Sequence, residues 1–206
     1  MPLYIQNFVR IKNRSVNFNG KKQKFEAENA KEFAEKIYRG ENIEYPRFFK
    51  MDMLSKLGLL ATEFVLKGEK IDLNTSLVFA NVSASLDTDL LYSEKVEKTG
   101  KDFQPSPALF VYTLPNIVMG EVCIKHKIQG ENIFYIMPNF DPSVFWITVN
   151  SQVTLGKATS FILAWVEILE EDFDIFACLL NSTKGEKKFE FSNTALKLIY
   201  NGTNIT

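Results

Sequence analysis

The chain has 206 residues, 46% hydrophobic and 24% charged, with 24 Lys+Arg against 25 Asp+Glu. That is globular composition with material for a sizeable core, and a net charge of -1 excludes the basic excess of a nucleic-acid binder. No stretch approaches the roughly 18 apolar residues of a membrane span, and a lone histidine, His126, excludes a zinc cluster or a two-histidine active site.

The N-terminus MPLYIQNFVRIKNR lacks a signal-peptide layout, because its apolar residues alternate and no small-residue cleavage site follows. A cytoplasmic protein with free thiols at Cys123 and Cys178 is therefore expected. The Asn-x-Ser/Thr triplets at Asn13, Asn74, Asn81, Asn181, Asn201 and Asn204 are then chance in an Asn-rich chain.

Leu3 to Ile11 alternates enough for a strand, and Asn17-Phe18-Asn19-Gly20 is a turn signal. Asn29 caps a short helix through Tyr38, ended by Gly40. Met51 to Lys67 is the clearest amphipathic helix. Leu54, Leu57, Gly58, Ala61, Phe64 and Val65 share one face, and Asp52, Lys56, Glu63 and Lys67 the other. Ser76 to Val82 reads as a buried strand, and Ser85 with Asp87 opens a helix through Lys98 that stops at Gly100. The Pro105-Ser106-Pro107 loop leads to a helix over Pro115 to Lys127, with Gly130 after its end. Asn132 to Met137 is a second buried strand.

Asp141 then caps, and Pro142 starts, a helix reaching about Leu155. That helix carries no charged side chain, so it should be enclosed on most sides. Phe161 to Ile168 and Asp174 to Leu180 pair across Glu170-Glu171-Asp172, Lys187 to Phe191 alternates, and Ala195 to Thr206 stays unassigned. The order βαβαβαββ gives an α/β protein with a mixed β-sheet packed by helices, one domain over residues 1–206.

Chemistry-bearing constellations are few. Cys123 and His126 lie three apart on one helix and so share a face, the spacing of a thiolate–imidazole pair for acyl transfer. No third group orients them in sequence, and a buried Cys beside a His at a helix C-terminus explains them better. Glu170, Glu171, Asp172 and Asp174 fit a solvated hairpin turn better than an acid/base pair. No GxGxxG or Walker loop is present, and no cofactor or metal is expected. The informative place is Ile133 to Phe145, where a strand runs into a helix N-terminus. Free N–H groups and the helix dipole make such corners good nucleophile and oxyanion sites. Here the corner holds Asn139, Phe140 and Asp141, with Asp141 occupying the positive helix end.

Arg47-Phe48-Phe49-Lys50-Met51-Asp52, with the Leu54–Leu66 helix after it, resembles the "R-K-M-D" lead into an early helix of β-ketoacyl synthases. Ser106-Pro107-Ala108-Leu109-Phe110 and Thr113-Leu114-Pro115-Asn116-Ile117-Val118-Met119-Gly120-Glu121 are similar to the synthase stretch "S-P-x-x-F-x-x-T-x-x-N-x-x-x-G". Gly130-Glu131-Asn132-Ile133 resembles the lead-in to the nucleophile strand. Order and spacing are kept, and the likeness extends over most of the chain.

The resemblance implies the N-terminal half of a thiolase-like fold, with the Pro142 helix in its central layer. It also implies a departure, because the nucleophilic Cys position falls at Asn139 and the two catalytic histidines belong to a C-terminal half. Condensation needs the thiolate and polar donors. The expectation is a pseudo-enzyme without catalytic residues, of chain-length-factor type, serving fatty-acid, polyketide or polyene biosynthesis. On that reading Met119, Phe134, Phe140 and Phe145 line an acyl tunnel or interface. A second copy or a full-length ketosynthase covers the Pro142 helix, and an acyl carrier protein is a further expected partner. The alternatives are a small thioester acyltransferase or hydrolase using Cys123 and His126, or a stand-alone acyl-binding module.

Overall fold

Strand β1 (Tyr4–Lys12) sits inside the sheet rather than at its margin, with β2 (Ser15–Phe18) on one side and β7 (Asp172–Asn181) on the other. Its pairing with β7 shifts register between Ile5 and Asn7. A one-residue slip exchanges faces, so Ile5 enters one core while Val9 and Ile11 enter the other. That bulge explains the imperfect alternation of this segment. The computed structural model describes residues 2–99, 106–184 and 189–202. Gly100, Pro105, the start of the Lys187–Phe191 segment and Asn204 lie outside the described residues.

The remaining strands are β3 (Lys21–Lys24), β4 (Ser76–Asn81), β5 (Asn132–Ile136), β6 (Phe161–Leu169) and β8 (Phe189–Glu190). The sheet runs β3-β2-β1-β7-β6-β4-β5, with β8 joined to β1. Strand β4 is parallel to β5 and β6, whereas β7 is antiparallel to both β1 and β6. This is the expected mixed α/β sheet, extended by the β2–β3 hairpin.

One face carries α1 (Ala30–Gly40), α2 (Met53–Leu66) and α5 (Ile117–His126); the other carries α6 (Pro142–Thr154) and α7 (Asn193–Tyr200). Helices α3 (Leu86–Thr99) and α4 (Pro107–Val111) follow β4. Asn29 and Asp141 cap as expected, accepting from the Glu32 and Ser143 N–H groups, and Asp52 caps α2 by accepting from the Ser55 N–H.

Four expectations need correction. Helix α2 has no solvent face: twelve of its 14 residues are buried, including Lys56, whose ammonium lies 5.9 Å from the Phe48 ring centre. Burial holds that ammonium's pKa below its ordinary value. Strand β5 is an edge strand with exposed ends, not a buried one. Helix α6 buries only Phe145, Thr148, Val149 and Gln152, leaving Ile147 60% and Leu155 65% exposed. Helix α5 starts at Ile117, and Lys127 in the left-handed region, not Gly130, closes it.

Gly130 has another task. A Cβ there would lie 2.2 Å from the Thr75 carbonyl oxygen, so only glycine lets this loop pass β4.

Candidate functional site

The β5–α6 corner is built by β5 ending against β4, where the Met137 N–H donates to the Asn81 carbonyl at 2.8 Å. Pro138 and Asn139 are exposed. Phe140 turns inward and stacks on Tyr200 of α7 with centroids 3.8 Å apart and planes 7° apart. Phe145, Trp165 and Phe176 surround it at 5.5–6.0 Å. The Arg10 guanidinium lies 3.9 Å from the centre of the Tyr200 ring. With Phe140 against one face, the arginine must occupy the other. Tyr200 is thus sandwiched, and its hydroxyl donates to Asp174 at 3.2 Å. Arg10 also bonds that carboxylate. Burial is the chief cause that raises the phenol pKa, against the nearby Arg10 charge.

Beside the sandwich is a cavity of about 510 Å³ lined by Asn139, Asp141, Ser143, Lys197, Tyr200 and their neighbours. The Asp141 carboxylate accepts the Ser143 N–H at 2.8 Å, so the first free donor of α6 is already taken. No hydrogen bond among the described residues joins the Ser143 hydroxyl to a base. The corner offers an amide, a hydroxyl, an ammonium and a carboxylate, with no activated nucleophile.

The four apolar candidates do not converge. Met119 and Phe134 belong with the core on the α2 side of the sheet, whereas Phe140 and Phe145 belong with the core on the α6 side. The sheet separates the pairs.

Cys123 and His126 have separate partners. The Cys123 sulfur contacts the Asn132 side chain at 3.5 Å from its nitrogen and 3.7 Å from its oxygen, and burial pushes the thiol pKa up. His126 Nε2 meets Glu63 at 2.6 Å, and Lys125 donates to the same carboxylate at 3.1 Å. Glu63 therefore orients the imidazole, a third group that sequence reading missed because it comes from α2. Burial raises the Glu63 pKa, but the hydrogen bonds and charges of His126 and Lys125 outweigh it and the net shift is downward.

The acidic turn is pinned. The Glu170 N–H donates to Asp87, Glu171 accepts the Ala30 N–H at the start of α1, and Asp174 pairs with Arg10 and Lys12. Among the described residues no group of three or more His, Cys, Asp or Glu is placed to hold a metal ion.

The stretches that carry the sequence resemblance meet in space. Arg47 bonds Glu121 at 3.1 Å, and the buried Glu121 also accepts from Tyr45 at 2.6 Å and Tyr112 at 3.0 Å. Burial, then Glu121 itself, pushes the Tyr45 phenol up to about 12. Asp52, which caps α2, accepts the Thr88 hydroxyl at 3.1 Å.

No family model matches the chain, and no curated protein matches it in sequence. Solved structures do. The ishigamide ketosynthase/chain length factor superposes with a TM-score of 0.68 at 14% identity, over 91% of this chain and 64% of that one. The fold is that of the ketosynthases. A ketosynthase in complex with its chain length factor from Xenorhabdus doucetiae gives 0.58 at 11% identity, over 90% of this chain and 81% of that one. A type II PKS acyl-carrier protein in complex with its ketosynthase bound to the hexaketide gives 0.59 at 12%, over 87% and 62%. This ketosynthase-like chain thus spans less than two thirds of the first of these. No helix among the described residues is long and apolar enough to cross a membrane.

Proposed function

We propose that this chain is a non-catalytic ketosynthase-like subunit of chain-length-factor type that serves a condensing enzyme in fatty-acid, polyketide or polyene assembly. The observation that carries the reading is the β5–α6 corner, where a ketosynthase fold presents Asn139-Phe140-Asp141 and its helix end is capped by its own carboxylate. A thiolate at that corner would face Asp141 rather than free N–H groups, the reverse of what activates a thiol. The likeness to structures of ketosynthases with chain length factors supports the accessory role. The uncharged outer face of α6, with Trp146, Ile147 and Leu155 exposed, supports a covering partner. The acyltransferase reading lacks its dyad, because Cys123 and His126 turn to Asn132 and Glu63.

The test is reconstitution of a catalytic ketosynthase from the same cell, with acyl carrier protein and extender unit, with and without this chain. A shift in product length or condensation rate is expected. Unchanged rate and length refute the role.

A further inference from the structure

The last turns of three helices meet at one place on the α2 side of the sheet. Glu41 closes α1, Phe64 to Lys67 close α2, and His126 ends α5. Together with Ile43 and Ile71 they line a cavity of about 240 Å³. Its apolar lining is Ile43, Phe64, Leu66 and Ile71, and the first three are themselves buried. The cavity is smaller than the roughly 300–1,000 Å³ of sites for drug-sized ligands, so it suits a molecule of few heavy atoms.

The charges around the cavity are already paired. Lys67 donates to Glu41 at 2.5 Å, and Glu63 holds His126 Nε2 at 2.6 Å and Lys125 at 3.1 Å. No lining ammonium or carboxylate is left to bind an ion. His126 Nδ1, in contrast, makes no hydrogen bond among the described residues, and it is not sealed from solvent.

Glu63 fixes what that open nitrogen can do. Its net pKa shift is downward despite burial, so it is ionised, and a carboxylate only accepts. In the neutral imidazole the proton therefore sits on Nε2, and Nδ1 presents a lone pair. The three helix C-termini add negative potential at the same place, which favours the positive end of a donor over another acceptor. A histidine serving only to close α5 would need neither an orienting carboxylate from α2 nor an apolar cavity beside it. The lining matches a small apolar body that carries one hydroxyl and no charge.

We propose that this cavity is a binding site for a small, uncharged, apolar alcohol or phenol whose hydroxyl donates to His126 Nδ1. The site lies across the sheet from the β5–α6 corner, and the inference stands apart from the proposed role.

His126 is the sole histidine of the chain, so nitrogen NMR reads its two ring atoms without ambiguity. The probes are phenol and anisole, which share an apolar ring and differ in the donor. At about pH 8.5, where an imidazole is ordinarily neutral, Nδ1 should be the unprotonated nitrogen, and phenol should move its resonance saturably. Anisole should bind about tenfold more weakly than phenol, and calorimetry should find that preference gone in His126→Phe. Ile71→Trp fills the cavity from a loop and leaves the Glu63 bond in place, so it should abolish the phenol response. A proton on Nδ1 in the free protein, a resonance that phenol leaves unmoved, or anisole binding as tightly as phenol overturns the proposal. So does a folded Ile71→Trp protein that still binds phenol, or a folded His126→Phe protein that still prefers it.

Discussion

Replacing Gly58 by alanine probes the contact between α2 and α5 in the core on the α2 side of the sheet. An alanine Cβ would lie 2.3 Å from Val118 Cγ2 and 3.5–3.6 Å from the Val166 methyls. Ordinary carbon contacts need ~3.5–4.0 Å, so Val118 must move by more than an ångström. As a β-branched residue in a helix it has essentially one rotamer to occupy, and the helix itself must shift. Alanine gains about 1 kcal/mol of helix propensity over glycine, while overpacking costs about 3 kcal/mol at the upper end that so short a contact warrants. The net expectation is a loss of about 2 kcal/mol. Val118→Ala alone should lose about 2 kcal/mol as a buried-methyl deletion. In the double variant the new methyl occupies the vacated space, so the summed loss of about 4 kcal/mol should shrink by about 2 kcal/mol. Urea unfolding with an unchanged slope reads these values. A Gly58→Ala protein as stable as the native chain, or losses that simply add, would refute the reasoning.

The Glu63 pKa lies below its ordinary value of 4.5. Its contribution to stability is therefore complete above that value and disappears as pH falls through the lower folded-state value. Glu63→Gln should flatten the acid limb of the stability–pH curve below about pH 5; a limb of unchanged slope would mean that the His126–Glu63–Lys125 cluster is not formed in solution. Tyr200→Ala removes the ring held between Phe140 and Arg10, an aromatic pair worth about 0.5–1.5 kcal/mol plus a cation–π contact. Trypsin should then cut after Lys197 several-fold faster, with Tyr200→Phe intermediate. Equal cleavage of all three proteins would show that the sandwich does not hold α7 down.

Elements whose ends carry their own chemistry were legible in the sequence. Asn29 and Asp141 each supply a side-chain acceptor to a helix start, and each acts there, whereas Asp52, read as part of the polar face of α2, is its cap. The β6–β7 hairpin was legible because two apolar runs flank an acidic turn. The β2–β3 hairpin was not: Lys21–Lys24 is wholly exposed and has no periodicity to read. Helix α4 is one short turn behind Ser106-Pro107, too brief for a pattern. Helix α7 had a readable Ser192 cap and Ala195, Leu196 and Ile199 at helical spacing, a signal available but unused. At the site, the Asp141 cap was local and visible. The Tyr200–Phe140–Arg10 sandwich and the Glu63–His126 bond join distant elements, and sequence spacing holds no record of them. The placement of Met119 and Phe134 opposite Phe140 and Phe145 follows from strand parity and sheet order, which periodicity within a segment does not fix.

The burial of α2 on all sides has a consequence in time. Its covering strands are β1, made before it, and β6 and β7, which span Phe161 to Asn181. Strand β1 itself lies between β2 and β7, so the sheet under α2 cannot close until the β6–β7 hairpin leaves the ribosome. Roughly a hundred residues separate Leu66 from that hairpin, about 5–20 s of synthesis at ordinary rates. Throughout that interval the nascent chain holds its most apolar helix without a floor. The burden of keeping this protein soluble therefore falls on the period of synthesis before β6 and β7 emerge, and on whatever shelters α2 until they do.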